Sequence, residues 1–183
     1  MKRLRNLEER HALTLAFVRK HLPSGSTVLD LGSRNPLSEL LEQHGYRVIN
    51  TGYDDLDVDY PKWVDREVDA MVAFEIFEHM FAPFNILLHS KAPRLIASVP
   101  LSLWFKSAYW NDSDPWDRHY HEFEPKQFEF LLYRTGWKIL DSEKWAAYNF
   151  KDFGIRQFIR YFTPRYYIVY CERTDIPRMG PVQ

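Results

Sequence analysis

The sequence predicts an α/β fold, a doubly wound and mostly parallel sheet, and three observations carry that expectation. Thr27, Val28 and Leu29 lead to Asp30 without the polar alternation of a half-exposed strand, as expected for a strand buried on both faces. A second strand, Tyr46 to Thr51, follows one short amphipathic helix, so strand, helix and strand fall within about thirty residues, the size of a right-handed parallel βαβ unit. Strands and helices keep alternating through Val99, the pattern of helices packed on both faces of an open sheet.

The first strand runs into Gly32, where a residue without Cβ permits a sharp turn and a close approach by a ligand. Asn35-Pro36 then reads as a helix start, with Asn capping free N–H groups and Pro at the first helical position. Strand end, small-residue turn and helix N-terminus make a site for an anionic or nucleotide-like ligand at the sheet's carboxyl edge.

Around this centre, Leu4, Leu7, His11, Leu15, Val18 and Leu22 recur at helical spacing, so residues 1–25 are expected to supply a helix covering one face of the sheet. Leu37, Leu40, Leu41 and His44 form the second helix, ended by Gly45. The stretch Gly52 to Pro61 holds four aspartates, and its alternation of Leu56, Val58 and Tyr60 with Asp55, Asp57 and Asp59 suits a short edge-like strand rather than a regular helix. Asp69 to Phe74 and Arg94 to Val99 read as buried strands, with a short helix over Phe84 to Leu88 between them. Residues 101–124 lose periodicity and gain aromatic, His and Asp residues, as in a functional loop or lid. Pro125 opens another helix, and Trp137 to Trp145 and Arg165 to Arg173 are strands, the last expected to pair antiparallel. Between them an inserted helix is expected over 148–164, with Ile155, Phe158, Ile159 and Phe162 on one face.

Composition narrows the classes. The 183 residues suffice for one sizeable core. A formal charge of −1 gives no global electrostatic case for nucleic acid. Cys171 is the single cysteine, which excludes an intramolecular disulfide and suits a reducing compartment. No apolar run reaches membrane-spanning length and the N-terminal run has no signal-peptide core, so a cytoplasmic protein without an integral membrane segment is expected.

Four stretches resemble the class I S-adenosylmethionine-dependent methyltransferases. V-L-D-L-G-S-R-N-P, Val28 to Pro36, resembles the cofactor loop, and A-F-E-I-F-E-H-M, Ala73 to Met80, resembles the hydrophobic-Glu-His signature ending that family's fourth strand. R-L-I-A-S-V-P, Arg94 to Pro100, is similar to the fifth strand with its closing proline, and His119 to Trp137 is similar to the segment before and through the late helix. In this order they cover most of Thr27 to Arg173. The resemblance implies one methyltransferase-like domain over 1–183, S-adenosylmethionine as cofactor, and methyl transfer to a small-molecule acceptor, at oxygen ahead of nitrogen or carbon. A non-catalytic nucleotide-binding or interaction module on the same fold is the alternative. An NAD-dependent oxidoreductase is disfavoured, because Gly32-Ser33-Arg34-Asn35 lacks the dinucleotide glycine spacing.

On this resemblance Asp30 orients the cofactor's ammonium, helped by backbone N–H groups from Gly32 and Ser33 onward; capping of the next helix is its plainer role. Where that family's loop usually carries two or three glycines, Ser33-Arg34-Asn35-Pro36 follows the single Gly32, and Arg34 would sit near the methionine end, either clamping its carboxylate or obstructing entry. Asn50-Thr51-Gly52 stands where the family has a ribose-binding acid, and the helix that normally follows is expected to be missing. Asp55 and Asp57 are then the favoured ribose or adenine partners, a solvated acidic turn being the plainer reading. Phe74 and Glu75 line the cofactor in the family picture.

An acceptor hydroxyl needs a base, and imidazole titrates in the right range; the candidates are His79, His119 and His121. His119-x-His121 puts two imidazoles on one face of a strand, but no third ligand stands at a recognisable spacing and no metal is expected. Trp104, Phe105, Tyr109, Trp110, Trp116 and Tyr120 are expected to wall the acceptor pocket or form its lid.

Overall fold

The structure is a computed structural model that describes residues 2–147 and 161–176. The strands are β1 (Lys2–Leu4), β2 (Thr27–Asp30), β3 (Arg47–Asn50), β4 (Ala70–Phe74), β5 (Arg94–Pro100), β6 (Trp137–Ala147) and β7 (Pro164–Arg173). They form one seven-stranded sheet in the order β1-β6-β7-β5-β4-β2-β3. β3, β2, β4 and β5 pair in parallel. β7 runs antiparallel to both β5 and β6, as expected for the last strand.

The helices are α1 (Leu7–His21), α2 (Pro36–Gln43), α3 (Leu56–Asp59), α4 (Pro83–His89) and α5 (Pro125–Arg134). Alternate strand residues face opposite layers. Ala70 and Val72 of β4 pack with Leu15 and Val18 of α1, with Leu22 just after it, and with Leu41 of α2. Met71 and Ala73 pack with Leu56, Ile86, Leu87, Phe128 and Leu132 from α3, α4 and α5. This is a doubly wound, three-layer α/β arrangement with a core on each side of the sheet.

Local chemistry explains the helix starts. Asn6 caps α1, accepting from the Glu9 N–H at 2.9 Å. Asn35 and Ser38 form a capping box at α2, whose first residue is Pro36. Three expectations need correction. Leu4 belongs to an edge strand, not to the covering helix: Lys2, Arg3 and Leu4 pair with Trp145, Ala146 and Ala147. The acidic stretch is not an edge-like strand. The Asp55 carboxylate accepts from the Asp57 N–H at 3.1 Å and caps one turn of helix, α3, followed by a 3-10 turn over Tyr60–Lys62. Leu56 is buried while Val58 is 71% exposed, so the apparent alternation has no common buried face, and the helix expected to be missing is shortened instead. The helix expected over 148–164 falls mostly outside the described residues. Among the described residues no helix is long and apolar enough to cross a membrane.

Candidate functional site

From β2 the chain steps outward to β3 and then returns across β2 to β4. The carboxyl ends of β2 and β4 therefore flank a topological switch point, where open α/β sheets leave a crevice.

On the β2 side, Leu31 extends the pairing by donating its N–H to Val72 O at 3.0 Å. Gly32 then turns at φ +105°, and a Cβ there would lie 2.9 Å from Ile76 Cδ1, so both backbone and neighbour call for glycine. The Gly32 N–H donates to Thr51 Oγ1 at 2.7 Å, and the Gly52 N–H returns to Gly32 O at 3.1 Å, tying the turns after β2 and β3 together. Beneath this turn the Asp30 carboxylate is buried and accepts from Ser38 Oγ at 2.7 Å and Asn50 Nδ2 at 2.9 Å. Burial pushes it up to about 6, against the pull of those hydrogen bonds.

On the β4 side, Glu75 sits at φ +57°, left-handed backbone that a non-glycine residue rarely holds and that gathers at functional sites. Its carboxylate accepts from Ser98 Oγ at 2.7 Å and meets Arg10 Nη1 at 3.3 Å. Burial raises the group while Arg10 and Ser98 hold it down. Phe77, buried in the core, anchors a 3-10 turn that presents Glu78 and His79. The Glu78 side chain is 1% exposed, and burial, reinforced by Glu75, pushes its carboxyl well above the usual range. His79 Nδ1 donates to Arg118 O at 3.0 Å, and partial burial lowers the pKa of the ring. The ring of His119 stands edge-on to that of His79, centroids 5.0 Å apart.

Between these edges lies a cavity of about 310 Å³. Gly32 and Ser33 form its floor side, Asp54 and Leu56 the β3 side, and Ile76, His79 and Met80 the β4 side. Trp116, 65% exposed, stands at its edge.

Of the residues singled out by sequence, Gly32, Ser33, Asp55, Asp57 and His79 line this cavity. Asp30 supports it from below. The Arg34 guanidinium neither clamps nor blocks it, being held by Glu42 through hydrogen bonds of 2.7 and 2.6 Å along α2. Asp57 accepts from the Phe81 and Ala82 N–H groups, each at 2.7 Å, so this carboxylate fastens the start of α4, and that of Asp55 caps α3. Phe74 packs toward the α1 layer, and Glu75 turns to Arg10. His119 reaches His79, whereas the ring of His121 meets Phe81 O at 3.2 Å; the segment is irregular, and the two imidazoles do not share a face. Of the aromatic residues in 101–124, Trp116 lines the cavity. Tyr120 stacks on Phe81 at 3.9 Å, and Trp104 stays 81% exposed. Sequence reasoning gave no role to Glu78, Ile76 or Met80, although Glu75-x-x-Glu78-His79 was itself a signal.

No protein-family model matches the sequence, and no curated protein does. Solved structures do match. A SAM-dependent methyltransferase from Archaeoglobus fulgidus aligns over 89% of this chain and 94% of its own, at 17% identity and a TM-score of 0.61. Magnesium protoporphyrin IX methyltransferase from Synechocystis, solved with bound SAH, aligns over 91% of this chain and 82% of its own, at 14% identity and a TM-score of 0.57. The cyclase SpnF aligns over 95% and 84%, at 14% identity and a TM-score of 0.59. The fold is that of the class I S-adenosylmethionine-dependent methyltransferases. The cavity lies at the switch point of this fold and is lined by apolar side chains with a few polar groups. Gly32 supplies the tight turn at the cavity's edge, its own N–H and C=O engaged by Thr51 and Gly52, and Leu56, Ile76 and Met80 offer apolar walls. Ser33 and Asp54 add polar groups to the lining, Asp54 Oδ2 also accepting from Trp63 Nε1 at 2.9 Å.

Proposed function

We propose that the chain transfers a methyl group from S-adenosylmethionine to a hydroxyl oxygen of a small-molecule acceptor. The observation that supports this most is the cavity at the switch point, which joins the Gly32 turn to the imidazole of His79. Bound S-adenosylmethionine supplies an electrophilic methyl group on a sulfonium, so the protein's task is alignment and exclusion of water. Gly32 and Ser33 receive the polar end, with the negative charge of Asp30 beneath them favouring an ammonium. Asp54 and the apolar faces of Leu56 and Met80 hold the nucleoside, while Ile76 keeps the turn against β4. The Nδ1–H bond to Arg118 O fixes the tautomer of His79 and leaves its lone pair on Nε2. A ring whose pKa is lowered is neutral at pH 7 and able to accept the acceptor's proton. Trp116 supplies a flat wall for the acceptor. The buried thiol of Cys171, pushed well above its usual range, takes no part in the reaction and suits a cytoplasmic protein.

One observation favours a second reading, a non-catalytic nucleotide-binding or interaction module. The carboxylates of Asp55 and Asp57 are committed to backbone N–H groups of the chain itself, leaving fewer acids for a ribose. The cyclase neighbour also shows that this fold does not dictate methyl transfer. Calorimetric titration separates the readings: saturable micromolar binding of S-adenosylmethionine and S-adenosylhomocysteine, without NAD binding, is the expected result. Silence with all three would overturn the first reading.

A further inference from the structure

Glu78, His79 and His119 each offer one ligand atom, and these atoms lie within 4.8 Å of one another. From this juxtaposition we infer that the three side chains bind a divalent transition-metal ion at the His79 end of the cavity. Two imidazoles and one carboxylate form a mixed N/O donor set suited to Zn²⁺, Co²⁺, Mn²⁺ or Fe²⁺, and three protein ligands leave a position open. Bonds of about 2.1 Å put tetrahedral ligand atoms about 3.4 Å apart, so the cluster draws in by about an ångström on binding.

Two independent features point to a missing cation. Glu78 Oε2 is buried with no hydrogen-bond partner, and His119 Nδ1 is buried with only Glu122 Oε1 facing it, 3.5 Å away and not hydrogen-bonded, whereas buried polar atoms in folded proteins nearly always find a partner. The nearby guanidiniums are also engaged elsewhere: Arg10 pairs with Glu75 at 3.3 Å, and Arg165 lies 3.5 Å from Glu122. Glu78 meets no guanidinium among the ion pairs of the described residues, its one such contact being His79 Nε2 at 3.8 Å, and an ionised carboxylate so buried is costly unless a positive charge is supplied.

The surroundings hold the ligands in place. His79 donates Nδ1–H to Arg118 O and so directs the Nε2 lone pair away from it, the outer-shell arrangement that metal-binding histidines adopt. Glu78 O accepts from the N–H groups of Tyr120 and His121 at 2.8 and 3.2 Å, docking the segment that carries His119 directly onto the Glu78–His79 turn. On the methyl-transfer reading, the ion would take the acceptor's hydroxyl oxygen in its open position and lower that group's pKa, a role otherwise left to His79 as base. Metal binding itself does not depend on that reading.

The test uses the full chain, stripped with a chelator and titrated with Co²⁺ without methyl donor or acceptor, following visible absorption and equilibrium dialysis. The expected result is one Co²⁺ per chain. Glu78→Gln and His119→Gln, each checked for native circular dichroism and melting, weaken uptake by about 100-fold or more. His44→Ala, on the far end of α2, leaves it unchanged. No uptake of Co²⁺ or Zn²⁺ at about 100 µM overturns the proposal, as does uptake that is equal in wild type, Glu78→Gln and His119→Gln. Metal uptake by a chain that ignores S-adenosylmethionine supports the site while removing the methyltransferase reading; donor binding without metal uptake does the reverse.

Discussion

The carboxyl ends of β2 and β4 are neighbours in the sheet, and both bury carboxylates, yet they treat them differently. Asp30, after β2, is met by two neutral donors, Ser38 and Asn50. Past β4, Glu75 is met by a cation, Arg10, and Glu78 keeps an oxygen with no partner. The first network is complete in itself and holds the shape of the glycine turn. The second is incomplete, and such a network is where a ligand gains most by binding. The contrast sets a fully hydrogen-bonded carboxylate behind the β2 side of the cavity against an incompletely bonded one behind the β4 side.

The largest effect that would break this contrast is expected at Arg10. Arg10→Ala leaves the Glu75 carboxylate without its cation beside Glu78, and the loss is about 3 kcal/mol, read by urea unfolding at pH 7. Adding Glu75→Gln to that variant recovers most of the loss.

Asp30 comes next, with the opposite sign. Its folded-state value of about 6 lies above the ordinary 3.8, so the folded protein binds the proton more tightly than the unfolded chain. The stability it contributes is fully present below about pH 4 and is lost as pH rises toward 6. Asp30→Asn should flatten this window and raise stability near pH 7 by about 2 kcal/mol. The same change weakens S-adenosylmethionine binding, which calorimetry on the variant measures.

A smaller loss, about 1–2 kcal/mol, is expected for Gly32→Ala, chiefly from the positive φ, since the facing Ile76 Cδ1 is a side-chain end that can shift. Chemical denaturation gives the loss, and adding Ile76→Val tests whether strain or crowding dominates. The smallest effect is at Arg34. Its guanidinium is bound to Glu42 and faces solvent, so Arg34→Ala should leave both melting temperature and donor affinity unchanged.

These regions also differ in how far the sequence revealed them. The β2 strand, the Gly32 turn and the Asn35-Pro36 helix start rest on local preferences within ten residues, and the structure follows that reading. The antiparallel β7 was equally legible from the failure of a crossover pattern. Contacts between distant residues were not legible. β1 is a strand because Lys2 to Leu4 meet Trp145 to Ala147, and three residues carry no periodicity of their own. The loop pattern points Arg34 at the pocket, whereas its partner, Glu42, stands eight residues on along α2. In the acidic stretch the period-two alternation suggests a strand, but the capping preference of Asp55 prevails and starts a turn of helix. The meeting of His119 with Glu78 and His79 depends on the path of residues 101–124, which no spacing rule encodes.

The central claim is that the cavity beside Gly32 seats an adenosyl ligand. Amide-resolved NMR during titration with S-adenosylhomocysteine tests it most directly. Saturable shifts concentrated at Gly32, Ser33, Gly52 to Asp57 and Ile76 to Met80 are expected. Unchanged amides throughout a folded chain, or shifts gathered instead around Leu103 and Arg165, would contradict it.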